Sequence, residues 1–189
     1  MGVLKIVSWN VHGLKRIKGL IANNVDSYDI ICLQETWLRQ HDEELLCNIF
    51  PSHNNACKSS MNNDVIYKGR PFGGLSILWK RELDDFVTHI ELDYSNISAI
   101  SITANGRKLY VVNVYMPYAC SENEENIRDA VANLLSVWEI NDCDDIILTN
   151  HPINPQHSHL RAQTEQLCFF VAPETKLSTC LFHSLFCIR

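Results

Sequence analysis

Four residues with chemically capable side chains close four separate apolar runs. Asn10 ends "VLKIVSWN", Glu35 ends "DIICLQE", Tyr115 ends "KLYVVNVY" and Asn150 ends "DIILTN". A strand buried on both faces carries a heavy cost for any unpaired polar group, so such groups belong at its end. Several ends sharing one rim of a sheet would form a ligand crevice there. Glu35 supplies a hard carboxylate suited to Mg²⁺. Asn10 offers an amide that can orient a carboxylate, a water or a phosphate oxygen, and Tyr115 can donate a hydrogen bond to an oxygen that gains charge in a transition state. Each has a plainer reading when taken singly. Glu35 could cap the turn before Trp37, Asn10 could bond its own turn, and Tyr115, two residues before Pro117, could be a packing aromatic. Together they favour a site.

The fourth end differs from the others. "DDIILTNHPINPQ" (144–156) leads out of a buried strand into Thr149, Asn150, His151 and Pro152, a cluster with no acid. A neutral amide at Asn150 can hold a water but cannot act as its base. Asp145 lies five residues back, roughly 16 Å along an extended strand, and so belongs to the opposite rim. His151 is read as an exposed loop histidine, and His157 and His159, with no acid beside them, do not make a metal site. Asn154 is the next amide along this stretch.

The surrounding elements follow from pattern. Apolar runs place strands at 3–10, 29–35, 73–80, 85–92, 97–104, 108–115 and 145–150. Asn105-Gly106 marks a hairpin between two of them. Helical spacing covers 15–24, 41–50 up to Pro51, 121–139 behind a Ser121 cap, and a shorter stretch at 157–170. This mixture predicts an α+β fold, a layered sheet with helices outside.

Composition narrows the class. The chain has 189 residues, 46% of them hydrophobic and 20% charged, with a net charge of −6. It reads as one globular domain able to bury a core. A protein that binds nucleic acid by overall charge would be basic, so phosphate chemistry here must depend on a local site. Eight cysteines occur without a CxxC pair, which speaks against a zinc site or disulfide framework and for reduced thiols in an intracellular, cytoplasmic or nuclear protein. No apolar run reaches the ~18 residues needed to span a membrane. The segment 171–189 is apolar and without a clear period, a divergent tail to a domain at 1–170.

The stretches "SWNVHGL", "LQETWL", "GRPFGGLSILWK" and "VVNVYMPY" resemble, in order, motifs of the endonuclease/exonuclease/phosphatase superfamily. The pairing of the third with "NVYMPY" is most similar to endonuclease domains of non-LTR retrotransposons. The resemblance implies a four-layer α/β sandwich of two facing mixed sheets and Mg²⁺-assisted phosphodiester hydrolysis on a DNA backbone, with no other small-molecule cofactor. By position it assigns metal binding to Glu35 and Asn10, and catalytic positions to Tyr115, Asn150 and Asn10. Asn113 falls in the Tyr115 motif, and His12 stands where relatives vary, either at the site or as a turn residue on its rim. Gly73 and Gly74 are read as structural, allowing backbone to pack closely at a strand start.

The resemblance also exposes departures. The family's Gly-Asp-Phe-Asn motif falls on Thr149, Asn150, His151 and Pro152, so its aspartate is replaced by Asn150 and its asparagine by Pro152. No aspartate follows Asp145, and His183 does not sit in an aspartate-histidine context. The expectation is therefore a C-terminally incomplete domain derived from a retrotransposon endonuclease, weak or inactive here. A non-enzymatic binding module on the same scaffold is the alternative.

Overall fold

The computed structural model describes residues 4–115 (apart from 17, 18, 20–24, 43, 62–64, 66 and 67), together with 125, 128, 129, 132, 133, 145–150 and 168–171. Two sheets carry these residues. The first contains β1 (Ile6–Asn10), β2 (Ile30–Gln34), β3 (His53–Lys58) and β4 (Leu75–Lys80) in the order β1-β2-β4-β3. The second contains β5 (Val87–Ile90), β6 (Ile97–Ala104), β7 (Arg107–Val114), β8 (Asp145–Asn150) and β9 (Cys168–Val171) in sequence order. β1 runs parallel to β2, and β7 parallel to β8, while the other pairings are antiparallel. This is the mixed two-sheet α/β sandwich expected from the sequence.

The sheets meet through apolar faces. Ile30, Cys32, Ile77 and Trp79 of the first pack with Ile100, Ile102 and Val111 of the second. The opposite face of the first sheet buries Val7, Ile31, Leu33 and Leu78 against Leu14, Val25, Leu38, Leu46 and Phe50. Leu46 comes from the short helix α1 (Glu44–Ile49). The outer face of the second sheet gathers Ile97, Ala99, Tyr110, Val112, Val114 and Ile146. Each fully buried aliphatic of this kind contributes about 1.5–3 kcal/mol. Every residue of β2 is buried, which explains the unbroken apolar run Ile30–Leu33.

Several elements differ from the sequence reading. β3 was not expected, because "HNNACK" lacks β-branched residues and buries only His53 and Ala56, without a period of two. The strand expected over 85–92 is shorter, since Arg81–Phe86 forms a 3₁₀ turn before β5. The helical pattern at 157–170 gives way at its end to β9, where pairing with β8 outweighs local preference. Glu125, Arg128, Asp129, Ala132 and Asn133 are helical, within the expected 121–139 helix. His151, Pro152, Asn154, His157, His159 and His183 lie outside the described residues. Cys32 is buried, Cys57 half-buried and Cys47 exposed, and no helix among the described residues is long and apolar enough to cross a membrane.

Candidate functional site

The parallel arrangement of β1 with β2 brings Asn10 opposite Gln34, so the two strands end side by side. β7 ends at the same rim from the facing sheet. Three of the sequence-selected side chains converge there. Asn10 Nδ2 donates to Glu35 Oε1 at 3.2 Å, and the Tyr115 hydroxyl donates to the same oxygen at 3.1 Å. The other oxygen, Oε2, lies 2.7 Å from His12 Nδ1. Glu35 is thus clamped by three groups while only 8% exposed. Asn10 also accepts the His12 backbone N–H through Oδ1 at 3.3 Å, a local turn that fixes both residues.

The electrostatics follow from this clamp. Burial pushes the Glu35 carboxyl upward, but the His12, Asn10 and Tyr115 hydrogen bonds and the His12 charge outweigh it and hold Glu35 below its usual value. The bond to Glu35 raises His12, against burial and the nearby Arg70 charge. Burial, followed by the Glu35 charge, pushes the Tyr115 phenol upward, so it remains a hydrogen-bond donor at neutral pH.

The rim is held by unusual backbone. His12, Gly13, Glu35, Trp37, Gly73 and Gly74 all have positive φ, between 42° and 97°. For His12, Glu35 and Trp37, which are not glycine, such conformations persist only where surrounding contacts enforce them. Here Gly13 N–H bonds Glu35 O at 2.8 Å, Thr36 N–H bonds Gly74 O at 3.2 Å, and Trp37 N–H bonds Gly73 O at 2.9 Å. A Cβ on Gly74 would meet Thr36 Oγ1 at 2.5 Å, and one on Gly13 would meet the Trp37 ring at 2.4 Å. These glycines let three chain segments lie against one another beneath Glu35.

A second polar layer lies one strand step deeper. Asn113, wholly buried, donates through Nδ2 to Leu33 O at 2.9 Å and Ser76 O at 3.1 Å, in the facing sheet. Its Oδ1 accepts from Gln34 Nε2 at 2.6 Å and from the Thr149 hydroxyl at 3.3 Å. Gln34 Nε2 also donates to Ser8 Oγ at 2.9 Å. Because strand side chains repeat every second residue, Ser8 and Asn113 stand directly below Asn10 and Tyr115. Asn113 and Thr149 stand near strand ends in the sequence, but nothing in it shows that this layer bonds across the two sheets.

Asn150 closes β8, where it is the register partner of Val114 on the parallel β7. Its backbone therefore lies at the same rim as Tyr115.

Among the described residues no group of three His, Cys, Asp or Glu side chains is arranged to hold a metal. Glu35 is the one carboxylate in the described cluster. A single carboxylate with a neutral amide still suits Mg²⁺, which is commonly held by one or two carboxylates and completed by waters and substrate phosphates. Asn10 and Glu35 supply that donor set. A contact not foreseen from sequence is Arg70, whose guanidinium lies 4.7 Å from the centre of the Trp37 ring. The arginine shortly before Gly73-Gly74 was the available signal.

Residues 7–174 match the family model described as the endonuclease/exonuclease/phosphatase family. Solved structures agree with the fold. A 3′ phosphatase, NExo, from Neisseria bound to a product DNA hairpin is 18% identical with a TM-score of 0.55, the match covering 78% of this chain and 57% of that one. An AP endonuclease from Archaeoglobus fulgidus is 17% identical with a TM-score of 0.56, covering 78% and 56%. The D. rerio protein TDP2, complexed with a single-strand DNA product, is 21% identical with a TM-score of 0.54, covering 78% and 59%. The chain thus spans less than two thirds of the length of these structures. No curated protein matches it in sequence.

Proposed function

This chain belongs to the endonuclease/exonuclease/phosphatase family, and from that membership we propose that its Glu35 corner is a Mg²⁺-dependent site for phosphodiester hydrolysis on DNA, with weak or absent turnover. The observation that carries the reading is the convergence of Asn10, His12 and Tyr115 on one buried carboxylate. Such a carboxylate, ionised at neutral pH and fixed in position, can take a cation once one of its three donors turns away. Glu35 and Asn10 are the residues that would hold it. When bound, Mg²⁺ would polarise a phosphate oxygen and offset the charge that develops during hydrolysis.

This chain's own groups do the rest. Tyr115 keeps its proton and can turn its hydroxyl from Glu35 to a phosphate oxygen. Asn10 steadies Glu35 and the turn that carries His12. Asn150 stands on the strand end where the sequence motif calls for an aspartate, and an amide there can orient a water but cannot take its proton. That substitution, together with Pro152 standing where the motif has its asparagine, accounts for the weak turnover. A retrotransposon endonuclease as the source is supported by the pairing of "GRPFGGLSILWK" with "NVYMPY". The second reading, a binding module without turnover, is favoured by Glu35 being the one carboxylate of the described cluster.

Two assays test the proposal together. Calorimetry with Mg²⁺ or Mn²⁺ should show a site that Glu35→Gln abolishes. Supercoiled plasmid with Mg²⁺ should be nicked slowly, and only by protein with Glu35 intact. Nicking that persists in Glu35→Gln contradicts the assignment of this corner. Cation binding without nicking favours the binding module.

A further inference from the structure

β3, the strand least evident in the sequence, forms one edge of its sheet and ends at the rim that carries Glu35. Its last residue, Lys58, is the register partner of Leu75 at the start of β4. Ala56 packs toward the second sheet, and side chains alternate along a strand, so Lys58 points the same way. Its ammonium crosses to that sheet, donating to Leu92 O and, at 3.4 Å, to Ile97 O. Burial pushes the Lys58 ammonium below its usual range, and the Asp93 charge offsets part of that push. An apolar side chain would avoid this desolvation. What the lysine adds is a hold on two backbone carbonyls.

Those carbonyls bracket the connection from β5 to β6, and the same connection holds Tyr115. The Tyr115 N–H donates to Asn96 O at 2.9 Å, and Ile97 is the register partner of Val114. From that backbone the Tyr115 hydroxyl reaches Glu35. The next two residues hold the opposite side of the site. Ser59 Oγ donates at 2.9 Å to Leu38 O, three residues beyond Glu35. Ser60 Oγ accepts the Gly74 N–H at 2.8 Å. The carbonyls of Gly73 and Gly74 in turn accept the N–H groups of Trp37 and Thr36.

We propose that Lys58, Ser59 and Ser60 form a positioning clasp, in which the two serines seat the turn carrying Glu35 while Lys58 holds, through the β5–β6 connection, the backbone carrying Tyr115. Three consecutive residues thereby fix one donor of the clamp against its carboxylate across two sheets. The clasp also accounts for the polar end of β3, whose side chains serve through their bonds rather than their burial. The proposal rests on the Glu35 reading for what the site does. Its test needs no cation and no turnover, so the two can fail separately.

The test is amide hydrogen exchange by NMR on the full chain in EDTA, with carbon-13 tyrosine rings and Tyr115→Phe to assign the Tyr115 signal. The Cys32 amide, in the middle of the buried β2, reports global opening. Lys58→Met keeps the chain length and removes the donors. It should speed Tyr115 exchange about tenfold more than Cys32 exchange, as expected for bonds lost from a charged donor, and shift the Tyr115 ring signal. Lys58→Arg, whose guanidinium keeps both charge and donors, should restore the two readouts. Ser60→Ala should speed exchange at Gly74 and Thr36 and leave Tyr115 within about twofold. Lys80→Met removes the ion pair with Asp29 at the other end of β4, and should leave the ratio of Tyr115 to Cys32 exchange unchanged. If Lys58→Met does not fold, Lys58→Gln carries the same comparison. The proposal is overturned if the Lys58 variant keeps that ratio within about twofold of wild type, if Lys58→Arg fails to restore it, or if Lys80→Met changes it as much.

Discussion

Two polar layers lie one above the other at the end of this sandwich, and they are built on opposite principles. The deeper one, Ser8, Gln34, Asn113 and Thr149, is neutral, closed to solvent and bonded across both sheets. The upper one, Asn10, His12, Glu35 and Tyr115, contains the charge and opens to solvent through His12, whose side chain is 57% exposed. The neutral layer can be buried without ionic cost because its amides pair with one another and with backbone carbonyls. It sets the spacing of the strand ends, and the upper layer uses that spacing to hold an ionised carboxylate. Rigidity and reactivity are thus assigned to different residues one or two positions apart in the chain.

The contrast can be broken from either side. The largest effect belongs to the upper layer: Glu35→Gln should weaken divalent-cation binding by more than about 100-fold, beyond the 10–100-fold typical of residues that only support a ligand, with little change in the thermal unfolding midpoint. Calorimetry and a melting curve on the same sample check both halves.

Next comes the deeper layer. Asn113→Ala removes three hydrogen bonds between the sheets and leaves the Gln34 amide only its Ser8 partner, and at about 1 kcal/mol per lost bond it should cost about 3 kcal/mol of stability. Urea denaturation measures it. A loss under about 1 kcal/mol would mean that the cross-sheet bonds are not what holds the rim.

A smaller effect separates the two by pH. Glu35 has its folded value lowered from 4.5, so its contribution is present above that value and fades as pH falls through the lower folded one. His12 is raised from 6.5, so its contribution is present below that value and is lost as pH rises through the higher folded one. The stability difference between wild type and His12→Ala should therefore peak between about pH 4.5 and 6.5 and shrink on either side. With His12 largely exposed, solvent screening keeps the pair's worth small. A pH-independent difference would refute the ion pair.

The smallest effect is expected at β8. Asn150→Asp restores the acid that the motif calls for, yet plasmid nicking should rise little, because Pro152 still stands where the motif has its asparagine. A gain of several powers of ten would show that Asn150 alone was limiting.

Much of the site was legible before any coordinates. Asn10, Glu35 and Tyr115 could be picked out because each ends an apolar run, where burial forces polar groups to the margin. β2 was readable for the same reason. β3 was not, since a strand paired with a central neighbour can form from polar residues once that neighbour supplies the hydrogen bonds. β9 was hidden inside a helical pattern, and its pairing with β8 is a long-range term that no local window contains. The role of His12 stayed open between turn and site, because its bond to Glu35 joins residues 23 apart in the chain.

What the sequence determined by itself was chemistry and period: which residue types end which strands, and that the chain mixes strands with helices in a layered α+β fold. Only the tertiary structure decided that β1, β2 and β7 end at a common rim, that Asn113 bonds the two sheets beneath it, and that Arg70 lies on Trp37. Periodicity is a property of neighbours along the chain. Convergence depends on strand order and on left-handed turns at Glu35 and Gly74, which are enforced only when three distant segments are packed together.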